Sequence, residues 1–180
     1  MPVDPFVVHV AKLRRAVGTR LSEARRAPID PDRLISPVSG AESTVPDGAE
    51  ATCEVILESY IGGVMVTGTV RAPWSGICRR CTAPVGGELV VTVAERFCEP
   101  EGHHGDPEDE EAYPIFADQL DLRPMARDAL VLELPLAPLC RPGCAGLCPV
   151  CGADRNEEEC GCVTPTDARW ASLDVLRSTS

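Results

Sequence analysis

Ten of the 180 residues are cysteine, and eight of them stand in close pairs: Cys78-x2-Cys81, Cys140-x3-Cys144, Cys148-x2-Cys151 and Cys160-x-Cys162. Two thiolates so spaced can reach one tetrahedral ion without straining the backbone, and zinc takes four such ligands at about 2.3 Å. The segment Cys148-Pro-Val-Cys151-Gly152 adds a glycine where the chain must turn its amides toward sulfur. With Cys160 and Cys162 eight residues further on, it makes a compact four-sulfur set. Cys78 and Cys81 can complete a second set with Cys140 and Cys144, stapling the C-terminal segment to whatever carries the first pair. The rival is a single zinc, with the other pairs as free thiols or an alternate ligand set. A thioredoxin-like use of Cys78/Cys81 is a poor fit, because no βαβ pattern surrounds it. Cys53 and Cys98 stand alone in strand-like runs and read as small buried hydrophobes.

Little else has the form of a reactive site. The histidines are His9, His103 and His104, the last two inside a run of acids. There is no Gly-rich phosphate loop, nucleophile elbow or H-E-x-x-H. Since the cysteines come in complete fours, they leave no open position for a metal-bound water. The expectation is a protein that is not an enzyme and takes no small-molecule substrate.

The elements that position the cysteines are mostly strands. Phe6–Leu13 is a Val-rich first strand, followed by a basic segment and a Pro/Ser/Gly-rich connection over 27–48. CEVILESYIGG and VMVTGTVRAPW are β-branched runs split at Gly62-Gly63, a hairpin signature. ELVVTVAERF alternates with period two from Glu88, and Tyr113–Leu122 can form one more strand. Asp121-Leu-Arg-Pro124 opens a helix over about 122–134, with proline in the first turn and an apolar stripe of Met125, Ala129, Leu130 and Leu134. A short terminal helix from Thr166 would carry Trp170, Leu173 and Leu176. The fold class is α+β: an antiparallel β-meander or open barrel, one packed helix and a C-terminal zinc knuckle. The organisation divides at 1–48, 49–138 and 139–180.

Charge is uneven. With 17 Lys and Arg against 28 Asp and Glu the net is −11. Residues 9–29 nevertheless hold Lys12, Arg14, Arg15, Arg20, Arg25 and Arg26 against Glu23, six minus one or +5. The remainder is therefore −16, seven acids of it in the loop Glu99–Glu111. Broad affinity for nucleic acid is disfavoured by such a balance, since phosphate contacts supply most of that binding. A local patch remains possible, with Arg79 and Arg80 extending the basic segment if the fold unites them. Aromatic residues make up only 4% of the chain, too few for a base-stacking platform. No apolar run is long enough to span a membrane, and the N-terminus has no secretory h-region, so the expected location is the cytoplasm.

GICRRCTAPV (76–85), DLRPMARDALVLELPLAPLC (121–140), CAGLCPVCGADRNEEECGC (144–162) and DARWASLDVL (167–176) occur in an order that resembles the YceD family, the large ribosomal RNA subunit accumulation proteins. The last stretch has Ala168 where the family's closing motif has proline. The resemblance implies a bacterial role in large-subunit rRNA accumulation or processing. It also implies contact with a pre-ribosomal particle or with a basic large-subunit ribosomal protein, and it supplies no reaction. Three modes of action are open: a zinc-stabilised factor touching rRNA, an acidic adaptor for a basic ribosomal protein, and a thiol- or zinc-responsive regulator.

Overall fold

The computed structural model describes residues 4–28, 43–99, 112–163 and 169. The acidic loop beyond Glu99, with His103 and His104, and the terminal helix expected from Thr166 lie outside the described residues, Arg169 excepted.

Eight strands and one helix make up the described fold. In chain order they are β1 (Val7–His9), β2 (Arg20–Pro28), β3 (Ser43–Thr44), β4 (Glu50–Tyr60), β5 (Gly63–Ile77), β6 (Pro84–Cys98), β7 (Tyr113–Phe116), β8 (Gln119–Asp121) and helix α1 (Arg123–Glu133). The sheet order is β1-β8-β7-β6-β5-β4-β2, with β3 pairing β5 beyond the end of β4. Every pairing is antiparallel except β6 with β7, where Phe97 lies beside Tyr113 in parallel register. The antiparallel pattern is therefore broken once, between β6 and β7. The second half of the basic segment, for which no strand was expected, is the edge strand β2, which carries Arg20, Arg25 and Arg26.

The curvature follows from connectivity. β1 and β2 occupy opposite edges of a sheet that would be on the order of 29 Å wide if flat. Only residues 10–19 join them, and Leu13–Arg15 of these are wound into a 3-10 turn. The sheet curls into a half-barrel, and this short segment bridges the two edges by donating from Val10 to Asp118 O (2.9 Å) and from Gly18 to Ser59 O (2.7 Å).

Period-two alternation fixes the register. Ala51, Cys53, Val55 and Leu57 of β4 point inward with Val64, Val66, Val70 and Ala72 of β5 and Leu89, Val93 and Phe97 of β6. A slip of one residue would turn all of them to solvent. The hairpin turn is Ile61-Gly62, because Gly63 already pairs with Tyr60. Gly63 is needed where β5 meets β6: a Cβ there would lie 2.2 Å from Phe97 O. β7 and β8 form a second tight hairpin in place of the single strand expected, with Ala117 and Asp118 both at positive φ (48° and 58°).

α1 lies against β5 and β6 and buries Met125, Ala126 and Leu130. Asp121 accepts from the Arg123 amide at 2.9 Å, and Pro124 sits in the first turn as expected. Pro135 O, just past the helix, accepts from Ser43 Oγ and ties β3 to this end of α1.

Candidate metal centres

Cys78 and Cys81 occupy the turn between β5 and β6, the two longest strands. The turn is a knuckle: the Cys78 amide donates to Ala83 O (2.7 Å) and the Thr82 amide to Cys78 O (2.9 Å). The same pattern recurs at Cys148 and Cys151, where Cys148 donates to Ala153 O (2.8 Å) and Gly152 to Cys148 O (2.9 Å). Both turns need a left-handed residue just after the second cysteine. Gly152 adopts φ 77° freely, whereas Thr82 takes φ 60° despite its branched side chain.

The sulfurs gather into two sets of four. In one, Cys78, Cys81, Cys140 and Cys144 place their Sγ atoms within 4.8 Å of one another, and in the other Cys148, Cys151, Cys160 and Cys162 do the same. In the first set Cys78 and Cys144 are 3.8 Å apart and Cys81 and Cys140 are 3.6 Å apart. A disulfide needs about 2.05 Å. A tetrahedron with bonds of about 2.3 Å has edges of about 3.8 Å, so these spacings fit one ion held by four thiolates. Each set can therefore hold a metal ion.

The sets differ in cover. Cys78, Cys81 and Cys144 are buried on a small apolar cluster with Ala83 and Val85, and only Cys140 is exposed. In the second set Cys148 is buried, Cys160 is half-buried, and Cys151 and Cys162 are exposed. Backbone amides favour the thiolate in both knuckles. The Cys81 amide leads in bringing the Cys78 thiol down to about 6. The Cys151 and Val150 amides do the same for Cys148, also to about 6, with Val150 N 3.4 Å from Cys148 Sγ. Cys140 and Cys162 are pushed up to about 12, chiefly because they donate to Cys144 and Cys151. Crowded thiols cannot all ionise beside one another. A divalent cation removes that conflict.

Three polar residues that the sequence did not single out for this purpose hold the sets in place. Arg80 donates through Nη1 to Cys144 O (2.8 Å), and its carbonyl accepts from the Leu147 amide (2.9 Å). Asn156 Nδ2 donates to Cys144 Sγ at 3.4 Å, and Arg141 Nη2 donates to Asn156 Oδ1 at 2.7 Å. Arg80, expected to extend the basic segment, is a strut of the first set. No sequence spacing reveals these contacts, which depend on how the second knuckle folds back on the first.

The basic residues do not form one patch. Arg20 lies at the end of the sheet where β4 turns into β5, whereas Arg79 and Arg80 lie beyond the other end of the 15-residue β5. Carboxylates hold four of the six N-terminal cations. Arg14 meets Glu99 and Asp118 (both 2.7 Å), Arg20 meets Glu58 (2.9 Å), Arg25 meets Glu23 (2.8 Å) and Arg26 meets Glu50 (2.6 Å). Glu99 leads in raising the Arg14 pKa. Lys12 and Arg15 are both exposed. At the knuckle end Arg79, Arg80, Arg141 and Arg155 share their segments with Asp154, Glu157, Glu158 and Glu159. Four cations against four carboxylates leave these side chains without a net positive charge.

The sheet and knuckles belong to a known class. The chain is a member of the YceD family: the model described as large ribosomal RNA subunit accumulation protein YceD matches residues 66–177, which contain all eight paired cysteines. An uncharacterized protein of Mycobacterium tuberculosis (strain ATCC 25618 / H37Rv) is 37% identical over 172 residues, covering 94% of this chain and 80% of the relative. Another, from Mycobacterium leprae (strain TN), is 30% identical over 172 residues, covering 95% and 77%. No solved structure matches the chain. No helix among the described residues is long and apolar enough to cross a membrane.

Proposed function

We propose that this chain is a non-catalytic, cytoplasmic ribosome-biogenesis factor that supports accumulation or processing of large-subunit rRNA through a zinc-stabilised scaffold. The observation that carries the reading is the gathering of eight cysteines, all inside the family-matched region, into two four-sulfur sets, the first joining Cys140 and Cys144 to the β5–β6 turn and the second closing the loop 148–162 on itself. Cys78, Cys81, Cys140 and Cys144 would hold one ion and Cys148, Cys151, Cys160 and Cys162 another. Bound zinc supplies structural cross-linking there, because protein sulfur takes all four positions and none is left for water or substrate.

The partner is a pre-ribosomal particle. Ion pairing of Arg14, Arg20, Arg25 and Arg26 favours a second reading, in which an acidic surface holds a basic large-subunit ribosomal protein and RNA is not touched. Crosslinking the full-length chain in cells, with sequencing of the attached RNA and identification of the attached proteins, separates the two. Large-subunit rRNA among the crosslinks supports the first reading, and ribosomal protein without rRNA supports the second. Neither rRNA nor ribosomal proteins above background would overturn both.

A further inference from the structure

The two sulfur sets are joined by one side chain. Asn156 lies in the loop 152–159, whose flanking residues, Cys151 and Cys160, are ligands of the second set. Its side chain reaches the first set. Oδ1 accepts from Arg141 Nη2 (2.7 Å) and from the Ala145 amide (2.8 Å). Two N–H donors can only face the oxygen, so the NH2 group faces the other way, toward Cys144 Sγ (3.4 Å) and Asp154 Oδ1 (2.6 Å). Both donors and both lone pairs of the amide are then used. Arg141 and Ala145 flank Cys140 and Cys144, so one residue of the second set's loop holds both the backbone and a sulfur of the first.

We infer that Asn156 is a positioning residue that couples the two metal sets, so that filling either one strengthens the other; this rests on the metal reading above. When the second set is filled, Cys151 and Cys160 fix both ends of the loop and hold the Asn156 amide against Cys144. When it is empty the loop ends are free, and the first set loses a donor to one of its four thiolates. Hydrogen bonds to ligand atoms typically change metal affinity by about 10- to 100-fold. The coupling is reciprocal by linkage. A backbone ladder also joins the two sets, through the Leu147–Asp154 bridge and Arg155 N to Gly146 O (3.0 Å), and is the competing route.

The test is a double-mutant cycle on the full-length chain, reading zinc affinity of the first set by competition with a chromophoric chelator and stoichiometry by native mass spectrometry. Removing the second set with Cys160→Ser and Cys162→Ser should weaken the first by about tenfold or more. Asn156→Ala alone should weaken it comparably, and the two changes together should add little. Asn156→Asp keeps the shape but sets a carboxylate against Cys144 and Asp154, and should weaken it further. With Co2+ in place of zinc, Asn156→Ala should move the sulfur-to-metal charge-transfer band of the first set to lower energy, a change that a purely structural role would not produce. Circular dichroism of the sheet checks that each variant is folded. Two zincs bound independently would overturn the coupling and leave the metal reading standing. Coupling that survives Asn156→Ala would assign it to the ladder and overturn the role of Asn156. No bound metal in the wild type would overturn both.

Discussion

Removing the metal should release residues 140–163 and leave the sheet folded. Ordering these two dozen residues costs backbone entropy of roughly 1–2 kcal/mol each, on the order of 30 kcal/mol in all. The apolar cluster beneath them, Cys78, Cys81 and Cys144 with Ala83 and Val85, offers only a few kcal/mol. Two structural zinc sites at about 10–16 kcal/mol each would supply the rest. The main core is independent of them: Leu57, Val64, Val66, Phe97, Leu122 and Leu130 are each completely buried and none belongs to the cysteine cluster. Hydrogen exchange read by mass spectrometry, with and without a strong zinc chelator, resolves the two regions. Peptides from 140–163 should lose all protection on chelation, while those from β4, β5 and β6 keep theirs. Protection of 140–163 that survives verified removal of the metal would refute the reasoning, as would collapse of the whole sheet.

Three further outcomes follow from particular residues. Phe97 is fully buried and stacks on Tyr113 with ring centroids 5.1 Å apart, so Phe97→Ala should cost about 3–5 kcal/mol in denaturant unfolding; a loss under about 1 kcal/mol would remove it from the core. Gly146 and Gly152 both have positive φ, but a Cβ at Gly146 would lie 2.9 Å from Arg80 O whereas one at Gly152 meets nothing within 4 Å. Gly152→Ala should therefore cost only the backbone strain, about 1–3 kcal/mol, and Gly146→Ala more, with weaker zinc retention; equal effects would contradict the contact between knuckles. The Cys78 pKa is lowered on folding from 9.0 to about 6. A depressed acid contributes stability that is full above its unfolded value and lost as pH falls through its folded one. Protons compete with zinc for the thiolates, so zinc retention should fall as pH is lowered and not as it is raised, as followed with a zinc indicator; release on raising the pH from about 7 to about 9 would contradict thiolate ligation.

Local chemistry was legible before the fold. The four cysteine pairs announced two sulfur sets, and the proline at 124 with the stripe of Met125, Leu130 and Leu134 marked α1, found at Arg123–Glu133. The β-branched runs gave β4 and β5, although the turn slipped one residue because Gly63 is demanded by close packing against β6 and not by the bend. The β7–β8 hairpin was hidden because its first left-handed residue is Ala117, which carries no turn signature. β2 was hidden because it is a charged edge strand whose Arg20 and Arg26 pair with Glu58 and Glu50 of β4, acids thirty-eight and twenty-four positions away. Pairing of that kind is decided by strand order. Asn156 was likewise invisible, since its value depends on which sulfur it meets.

The most direct test of the central claim is the ratio of large- to small-subunit rRNA in cells that lack this chain and are supplied with either wild type or the Cys148→Ser/Cys151→Ser variant. The ratio should fall on loss of the chain, recover with wild type and stay low with the variant. An unchanged ratio on loss, or full recovery with the variant, would contradict a zinc-held scaffold acting in large-subunit rRNA accumulation.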